Sequence, residues 1–324
     1  MKFDHVKIVF LQKDEVIKQQ KTLILSFFKK SIPNAKISFY GSAEQVPVGE
    51  QADILITPTL EWLDAALERL RGIQWIHFLS AGIEKIWKMQ FDKQSLLMSK
   101  SSGVHVNTMS EYALAAILYF EKQFNKFVTQ SGRREWSRSW LGELSGKKLI
   151  ILGVGAIGQK LAERASNFGM TVVGSVNTPR EIAYLDKTVR LNEIGLEMCD
   201  ADYLVVCLPL TDSTKGVVDT VLLSNLKPGA VLVDISRGGV VREDAVLAAL
   251  ETGVLRGAAL DVFEQQPLPA ESALWARDDV LITPHVSGTT QNYMPRALEV
   301  FLKNFESLKA TGVLSTPVDV KLGY

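Results

Sequence analysis

Near the middle of this 324-residue chain, a strand-like run over residues 148–152 leads into Gly153-Val154-Gly155-Ala156-Ile157-Gly158 and then a helix-like run over 159–168. No other feature constrains the fold as tightly. The first glycine permits a tight turn, the second lets backbone N–H groups approach a pyrophosphate, and the third lets the helix pack closely on its strand. The helix N-terminus then meets an anion with unpaired N–H groups and a partial positive charge. Glycine turns of this kind also serve plain packing. Here a further strand-like run at 171–175 follows the helix, completing a βαβ unit, and that context points to a dinucleotide.

The length suits two domains of ordinary size, and 47% hydrophobic residues supply two packed cores. Lys plus Arg and Asp plus Glu both total 36, so no global field draws the chain to nucleic acid or to an anionic membrane. A small-molecule partner is expected instead. The two cysteines, Cys199 and Cys207, do not make a disulfide framework, and Cys207 falls in an apolar strand pattern where a buried thiol is ordinary. No apolar run reaches the length of a bilayer span, and the start, Met1-Lys2-Phe3-Asp4-His5, leads into a strand pattern rather than a signal-peptide core. These features predict a cytoplasmic protein in a reducing compartment.

Strand-like and helix-like runs alternate before the glycine turn: strands at 6–11, 36–40, 53–56, 75–79 and 96–99, helices at 15–30 and 60–70. Such alternation predicts a parallel sheet flanked by helices. A long helical pattern over 110–127 has Ser110 as its expected cap, and residues 132–146 read as irregular. Beyond the βαβ unit, strands are expected at 202–208, 230–235, 257–260 and 280–283, with a last helix at 291–310 that would most economically return to the first domain. The fold class is therefore α/β, a Rossmann-type doubly wound parallel sheet inserted into a discontinuous α/β domain. The expected division is 1–103 with 289–324 for one domain and 104–288 for the other.

Of the four histidines, His5, His77 and His105 read as structural or surface groups. His105 lies where the chain crosses between domains. His285 ends a strand, where ligands of open α/β sheets gather, and an imidazole there suits proton donation to a carbonyl oxygen as hydride reaches carbon. Capping or packing is the competing role. Arg237 also follows a strand, and its guanidinium matches a carboxylate while polarising the neighbouring carbonyl; a solvated loop arginine is the alternative. Asp261, at a third strand end, could hold a carboxamide or cap the next turn. No metal-ligand cluster is expected.

Taken in order, GVGAIG at the mid-chain turn, LVDISRGG around Arg237, ALDVFEQQPLP after Asp261 and LITPHVSG around His285 resemble the D-isomer-specific 2-hydroxyacid dehydrogenase family over essentially the full length. The resemblance implies a flavodoxin-like substrate domain, an inserted Rossmann-type cofactor domain, a cleft between them and a homodimer. It also implies reversible hydride transfer between a nicotinamide cofactor and a 2-keto acid. It assigns acid/base work to His285, substrate carboxylate and carbonyl to Arg237, and carboxylate-binding backbone amides to Ser80, Ala81 and Gly82. Cofactor contacts implied are Gly153, Gly155, Ala156, Ile157 and Gly158 at the turn, Asn177, Thr178 and Arg180 after the second strand, Leu208, Pro209 and Thr214, Ile235 and Ser236, and Asp261, His285 and Gly288. The segment PLPAESALW resembles members acting on glyoxylate or hydroxypyruvate. Trp275 within it has three readings: pocket wall, dimer contact or ordinary packing.

One departure stands out. The family's usual glutamate before the proline of this segment is here Gln266. An amide can orient the imidazole but cannot supply the charge that favours its protonated form, so keto-acid reduction is expected to be acid-shifted or slow. Glu264, two positions earlier, is a poor substitute. Sites that prefer NAD place an acid at the end of the second strand for the ribose hydroxyl. This chain has Ser175-Val176-Asn177-Thr178-Pro179-Arg180 there, which favours NADP over NAD. The rival to an enzyme is a non-catalytic, nucleotide-sensing binding protein of the same fold, to which Gln266 lends weight and the joint retention of Arg237 and His285 does not.

Overall fold

A computed structural model describes residues 5–319. The chain runs β1 (Lys7–Leu11), α1 (Asp14–Ser31), β2 (Lys36–Tyr40), β3 (Glu50–Gln51), β4 (Ile54–Thr57), α2 (Leu63–Arg69), β5 (Leu70–Arg71), β6 (Trp75–Phe78) and β7 (Leu97–Lys100). It continues through α3 (Val106–Glu121), α4 (Phe124–Arg133), β8 (Lys148–Leu152), α5 (Ala156–Asn167), β9 (Thr171–Ser175), β10 (Lys187–Val189) and β11 (Tyr203–Val206). The remaining elements are α6 (Thr220–Leu223), β12 (Ala230–Asp234), α7 (Glu243–Glu251), β13 (Leu255–Leu260), β14 (Val280–Ile282) and α8 (Tyr293–Thr311). Two compact units result, one from the residues up to His105 together with those from Thr290 onward, the other from Val106–Thr289.

The first unit holds a parallel five-stranded sheet in the order β2-β1-β4-β6-β7, with β3 and β5 forming a separate two-stranded ribbon. Alternate residues of a strand face opposite ways, and the cores obey this: Ile8 and Phe10 of β1 join one apolar cluster while Val9 and Leu11 join the other. Helix α1 begins with Asp14 and Glu15 and ends with Lys29 and Lys30, charges that complement its dipole. Helix α8 turns Met294, Ala297, Leu298, Phe301, Phe305 and Leu308 inward, the 3-and-4 spacing of one helical face. It stops at Gly312, whose left-handed φ of 73° is open to a residue without Cβ. Phe301 stacks on Trp75 at 5.0 Å between centroids, and burial of one such ring contributes roughly 1.5–3 kcal/mol.

The second unit holds a seven-stranded parallel sheet ordered β10-β9-β8-β11-β12-β13-β14, a doubly wound sheet whose order reverses between β8 and β11. Helices cover both faces, so β11 and β12 are buried throughout, as parallel sheets require. Helix α3 lies close enough that a Cβ on Gly257 of β13 would stand 2.5 Å from the Phe120 ring. Among the described residues, no helix is long and apolar enough to cross a membrane.

Two expectations need correction. The helical pattern at 110–127 is not one helix: Gln123 takes φ 51° and separates α3 from α4. Ser110 is not a cap but an interior residue of α3, which begins at Val106. Its hydroxyl donates to the Val106 carbonyl at 2.5 Å and accepts from Arg164 Nη1 of α5 at 2.5 Å. Hydroxyl residues read as caps because they compete for backbone groups; here tertiary packing of α5 on α3 occupies that hydroxyl. The expected irregular stretch is real from residue 134 to 147, where Trp136 and Trp140 are each 98% exposed.

Candidate active site

The carboxyl ends of five strands in the second unit lie in register: Leu152 pairs with Val206, Val206 with Asp234, Asp234 with Leu260, and Leu260 with Ile282. Whatever follows those residues leaves the sheet along one edge. The glycine turn, Leu208, Ile235 to Arg237, Asp261 and His285 all follow them, so sheet register alone brings these distant residues together.

At the turn, Gly153 takes φ 93°, and a Cβ there would lie 3.1 Å from the Cys207 backbone. Gly158 packs against Gly153, where a Cβ would stand 2.7 Å from the carbonyl oxygen. Gly155, by contrast, has nothing within 4 Å of its Cβ position. It is the N-cap of α5, has no side-chain cap, and the first turn contains no acid. Two glycines are thus demanded by packing and the third leaves space in front of uncapped N–H groups, which fits a pyrophosphate. Ala156 is exposed and Ile157 half-buried beside it. At the end of β9, Asn177, Thr178 and Arg180 are exposed. The Arg180 backbone is anchored through its N–H to Thr188 Oγ1 at 3.0 Å. A concavity of about 600 Å³ bordered by Arg180, Tyr184 and Lys187 lies alongside and does not include His285.

Thr214 is only 7% exposed. Its hydroxyl donates to the Pro209 carbonyl at 2.6 Å and accepts from Thr211 N at 2.8 Å, so it shapes the loop after Leu208. Ile235 and Ser236 are buried, and Arg237 is half-buried with Nη1 donating to the Ser236 carbonyl at 2.9 Å. Burial pushes the Asp234 carboxyl up to about 7, against the lowering effect of bonds from Ser236 N and Oγ; the nearby Asp261 charge adds to the rise. Cys207 is pushed up to about 12 by burial, which makes it an inert thiol.

His285 has the left-handed φ of 55°, a conformation that non-glycine residues hold only when their surroundings impose it. Asp261 supplies most of those surroundings, and the Thr283 carbonyl also accepts from His285 N at 3.0 Å. Asp261 is fully buried and accepts from Val286 N at 2.8 Å, Ser287 N at 2.9 Å and Thr283 Oγ1 at 2.6 Å, while its backbone carbonyl accepts from His285 N at 2.9 Å. The imidazole meets Gln266: Nδ1 lies 2.8 Å from Oε1, and Gln266 Nε2 donates to the Phe263 carbonyl at 3.2 Å. That second bond fixes the amide, so Oε1 faces the ring and Nδ1 carries a hydrogen. Nε2 takes no part in this pair of bonds. A Cβ on Gly238 would stand 1.8 Å from the Phe263 oxygen, so the backbone after Arg237 rests on the loop that orients His285. Glu264 is engaged elsewhere, exchanging bonds with Glu243 at the start of α7. Ser80, Ala81 and Gly82 follow β6 in the first unit as a half-buried loop whose preceding carbonyl, that of Leu79, accepts from Tyr293 OH at 2.5 Å. Gly288 is half-buried and Trp275 exposed, with its indole N–H donating to Pro269 O at 2.9 Å.

Sequence reasoning passed over Tyr112 and Thr283. Tyr112 OH lies 2.7 Å from Thr283 Oγ1, a contact between residues 171 apart that no local pattern signals.

This arrangement defines a dinucleotide-binding α/β protein with an imidazole and a guanidinium at the strand ends. Residues 114–287 match the model of the D-isomer specific 2-hydroxyacid dehydrogenase NAD binding domain. Glyoxylate/hydroxypyruvate reductase A of Serratia proteamaculans (strain 568) is 31% identical over 264 residues, 79% of this chain and 82% of that protein. A D-isomer specific 2-hydroxyacid dehydrogenase family protein of Aeromonas salmonicida superposes with a TM-score of 0.85 at 28% identity, over 97% of this chain and 99% of that one. The NADPH-dependent glyoxylate/hydroxypyruvate reductase of Sinorhizobium meliloti, in complex with NADP and sulfate, shares the fold with a TM-score of 0.84 at 21% identity, over 98% and 100% of the two chains. The chain belongs to the D-isomer specific 2-hydroxyacid dehydrogenase family, and it is an NAD(P)-dependent oxidoreductase of that family.

Proposed function

We propose that this enzyme reduces a small 2-keto acid to the D-2-hydroxy acid with NADPH, glyoxylate and hydroxypyruvate being the substrates to expect. The observation that supports the reading is the His285–Gln266–Phe263 chain of bonds, which occupies imidazole Nδ1 and so favours Nε2 as the proton-transferring atom in this reading. The reduced nicotinamide, when bound, supplies the hydride. His285 delivers the proton from Nε2 to the carbonyl oxygen, and in the reverse direction takes it back. Arg237 pairs with the substrate carboxylate and polarises the carbonyl through its forked donors. Ser80, Ala81 and Gly82 are assigned to the carboxylate on resemblance alone.

Residues 104–288 form the dinucleotide-binding domain in this reading, with 1–103 and 289–324 as the substrate-binding domain. NADP(H) is favoured because residues 176–180, directly after β9, contain no carboxylate to repel a 2′-phosphate, and the exposed Asn177, Thr178 and Arg180 offer it donors and a positive charge. The choice of substrate draws on the Serratia relative's name and on the PLPAESALW segment. The enzyme acts as a cytoplasmic homodimer in this reading: both cysteines are free thiols, and the segment bearing Trp136 and Trp140 gives a second copy a large aromatic surface to cover.

A panel of 2-keto acids assayed with NADPH and with NADH tests the whole reading. Turnover of glyoxylate or hydroxypyruvate with NADPH is expected. Cofactor binding without turnover of any keto acid would return the protein to a sensing role, and a clear NADH preference would overturn the cofactor assignment.

A further inference from the structure

Behind the His285 loop, helix α3 contributes a polar side chain to an otherwise strand-built site. Thr283 Oγ1 donates its one proton to Asp261 Oδ1 at 2.6 Å, so at the 2.7 Å contact with Tyr112 it can only accept, and the phenol donates. The chain of bonds therefore runs in one direction, from Tyr112 through Thr283 to Asp261. It ends on the carboxylate that also receives Val286 N and Ser287 N. The backbone N–H groups of residues 286 and 287 terminate on the Asp261 side chain, and that of His285 is shared between the Asp261 carbonyl at 2.9 Å and the Thr283 carbonyl at 3.0 Å. Burial pushes the Tyr112 hydroxyl up to about 12, and the negative charges of Asp261 and Asp234 add to the rise. The phenol thus keeps its donor proton throughout the neutral range.

We propose that Tyr112 is a positioning residue for the hydride-transfer reaction: by donating to Thr283 it holds Asp261 in place, and through Asp261 it holds His285 in its left-handed conformation with Nε2 correctly aimed. This rests on His285 being the acid/base. Without the phenol hydroxyl, Thr283 Oγ1 loses its donor and is free to turn away from Asp261, which loosens the clamp on a backbone conformation that histidine does not adopt readily. Neither Tyr112 nor Thr283 is assigned a contact with the keto acid, so the loss should fall on kcat and not on KM.

The test compares Tyr112→Phe, Thr283→Val, the double variant and His285→Ala with the wild type, using the best keto acid of the panel and NADPH, with melting temperatures recorded. Each single change at 112 and 283 is expected to lower kcat about tenfold, the effect of one lost hydrogen bond on a rate, with KM for keto acid within about twofold. The double variant should be no worse than the poorer single one, because both changes cut the same chain. Wild-type kcat in Tyr112→Phe beside an inactive His285→Ala would overturn this inference alone. So would multiplicative losses in the double variant, or a loss carried by KM. An active His285→Ala would instead overturn the acid/base reading on which the inference stands.

Discussion

Replacing Gln266 by glutamate puts the acid/base reading to its most direct test, because it changes charge while keeping shape. The wild-type amide oxygen is 2.8 Å from His285 Nδ1, and a carboxylate oxygen in its place would put a negative charge about 4 Å from the centre of an imidazolium. Coulomb attraction at that separation is about 1 kcal/mol in water and about 4 kcal/mol at an effective dielectric of 20. Both side chains are exposed, so the lower figure applies, further reduced by salt. At about 1.4 kcal/mol per pH unit, the alkaline limb of keto-acid reduction should move upward by roughly half to one unit. The sign follows from the chemistry: reduction needs the imidazolium, which the carboxylate stabilises, so activity persists to higher pH. Oxidation of the hydroxy acid needs the neutral ring, so its acidic limb should move upward too. One cost opposes the gain, since Gln266 Nε2 now donates to the Phe263 carbonyl at 3.2 Å and a carboxylate oxygen there would be repelled. The assay is kcat/KM in both directions across about pH 5–9. Superimposable wild-type and variant profiles would refute the argument, as would a shift toward acid.

His77 is fully buried between Ser99 and Ser101, and burial lowers its pKa from 6.5 to about 3. The unfolded chain therefore binds a proton that the folded first unit refuses, so stability is complete above pH 6.5 and declines as pH falls toward 3. At about 1.4 kcal/mol per unit the loss is on the order of 4–5 kcal/mol; urea unfolding of wild type and His77→Gln at both ends of that range measures it, and identical acid slopes would count against it. Gly238→Ala should drive the Arg237 and Gln266 loops apart, because the new Cβ falls 1.8 Å from a backbone oxygen. A kcat loss of about a hundredfold is expected, and near-normal kinetics would mean the contact is unimportant. Gly155→Ala should leave the melting temperature of the free protein nearly unchanged, since its Cβ meets nothing within 4 Å, yet weaken NADPH binding at least tenfold by titration; unchanged affinity would move the pyrophosphate elsewhere. If the wild type sediments as the dimer proposed above, Trp136→Ala with Trp140→Ala should convert it to a monomer in analytical ultracentrifugation; an unchanged dimer would rule out this surface as the interface, and a monomeric wild type would overturn the homodimer reading.

Legibility in the sequence followed how local each cause is. The βαβ unit around Gly153 could be read directly, because turn, strand and helix are neighbours in the chain and each glycine answers to a nearby atom. Strands such as β9 and β12 were legible as short apolar runs bounded by turns. Gln123 was not legible as a break, since nothing in its chemistry demands a left-handed backbone; it lies between α3, which has a buried face, and α4, which buries no residue. Ser110 misled for a related reason: a serine ahead of an apolar periodic run looks like a cap unless one knows that Arg164, 54 residues away, takes its hydroxyl. Gln266 was legible as a departure from the glutamate expected there, but the bond to Phe263 that fixes which end of the amide faces His285 required coordinates.

The order of amino acids alone determined that two parallel-sheet units would form, that one would carry a phosphate-binding turn, and that His285 and Arg237 would stand at strand ends, because hydrophobic period and glycine spacing act over a few residues. Only the tertiary structure decided how those ends serve one another. The register of β8, β11, β12, β13 and β14 aligns residues up to 130 positions apart along a single edge. A buried Asp261 then gathers the His285 loop, and Tyr112 reaches that carboxylate through Thr283. Such contacts depend on hydrogen bonds between segments with no shared pattern, and they exist only once the sheet has closed the distance.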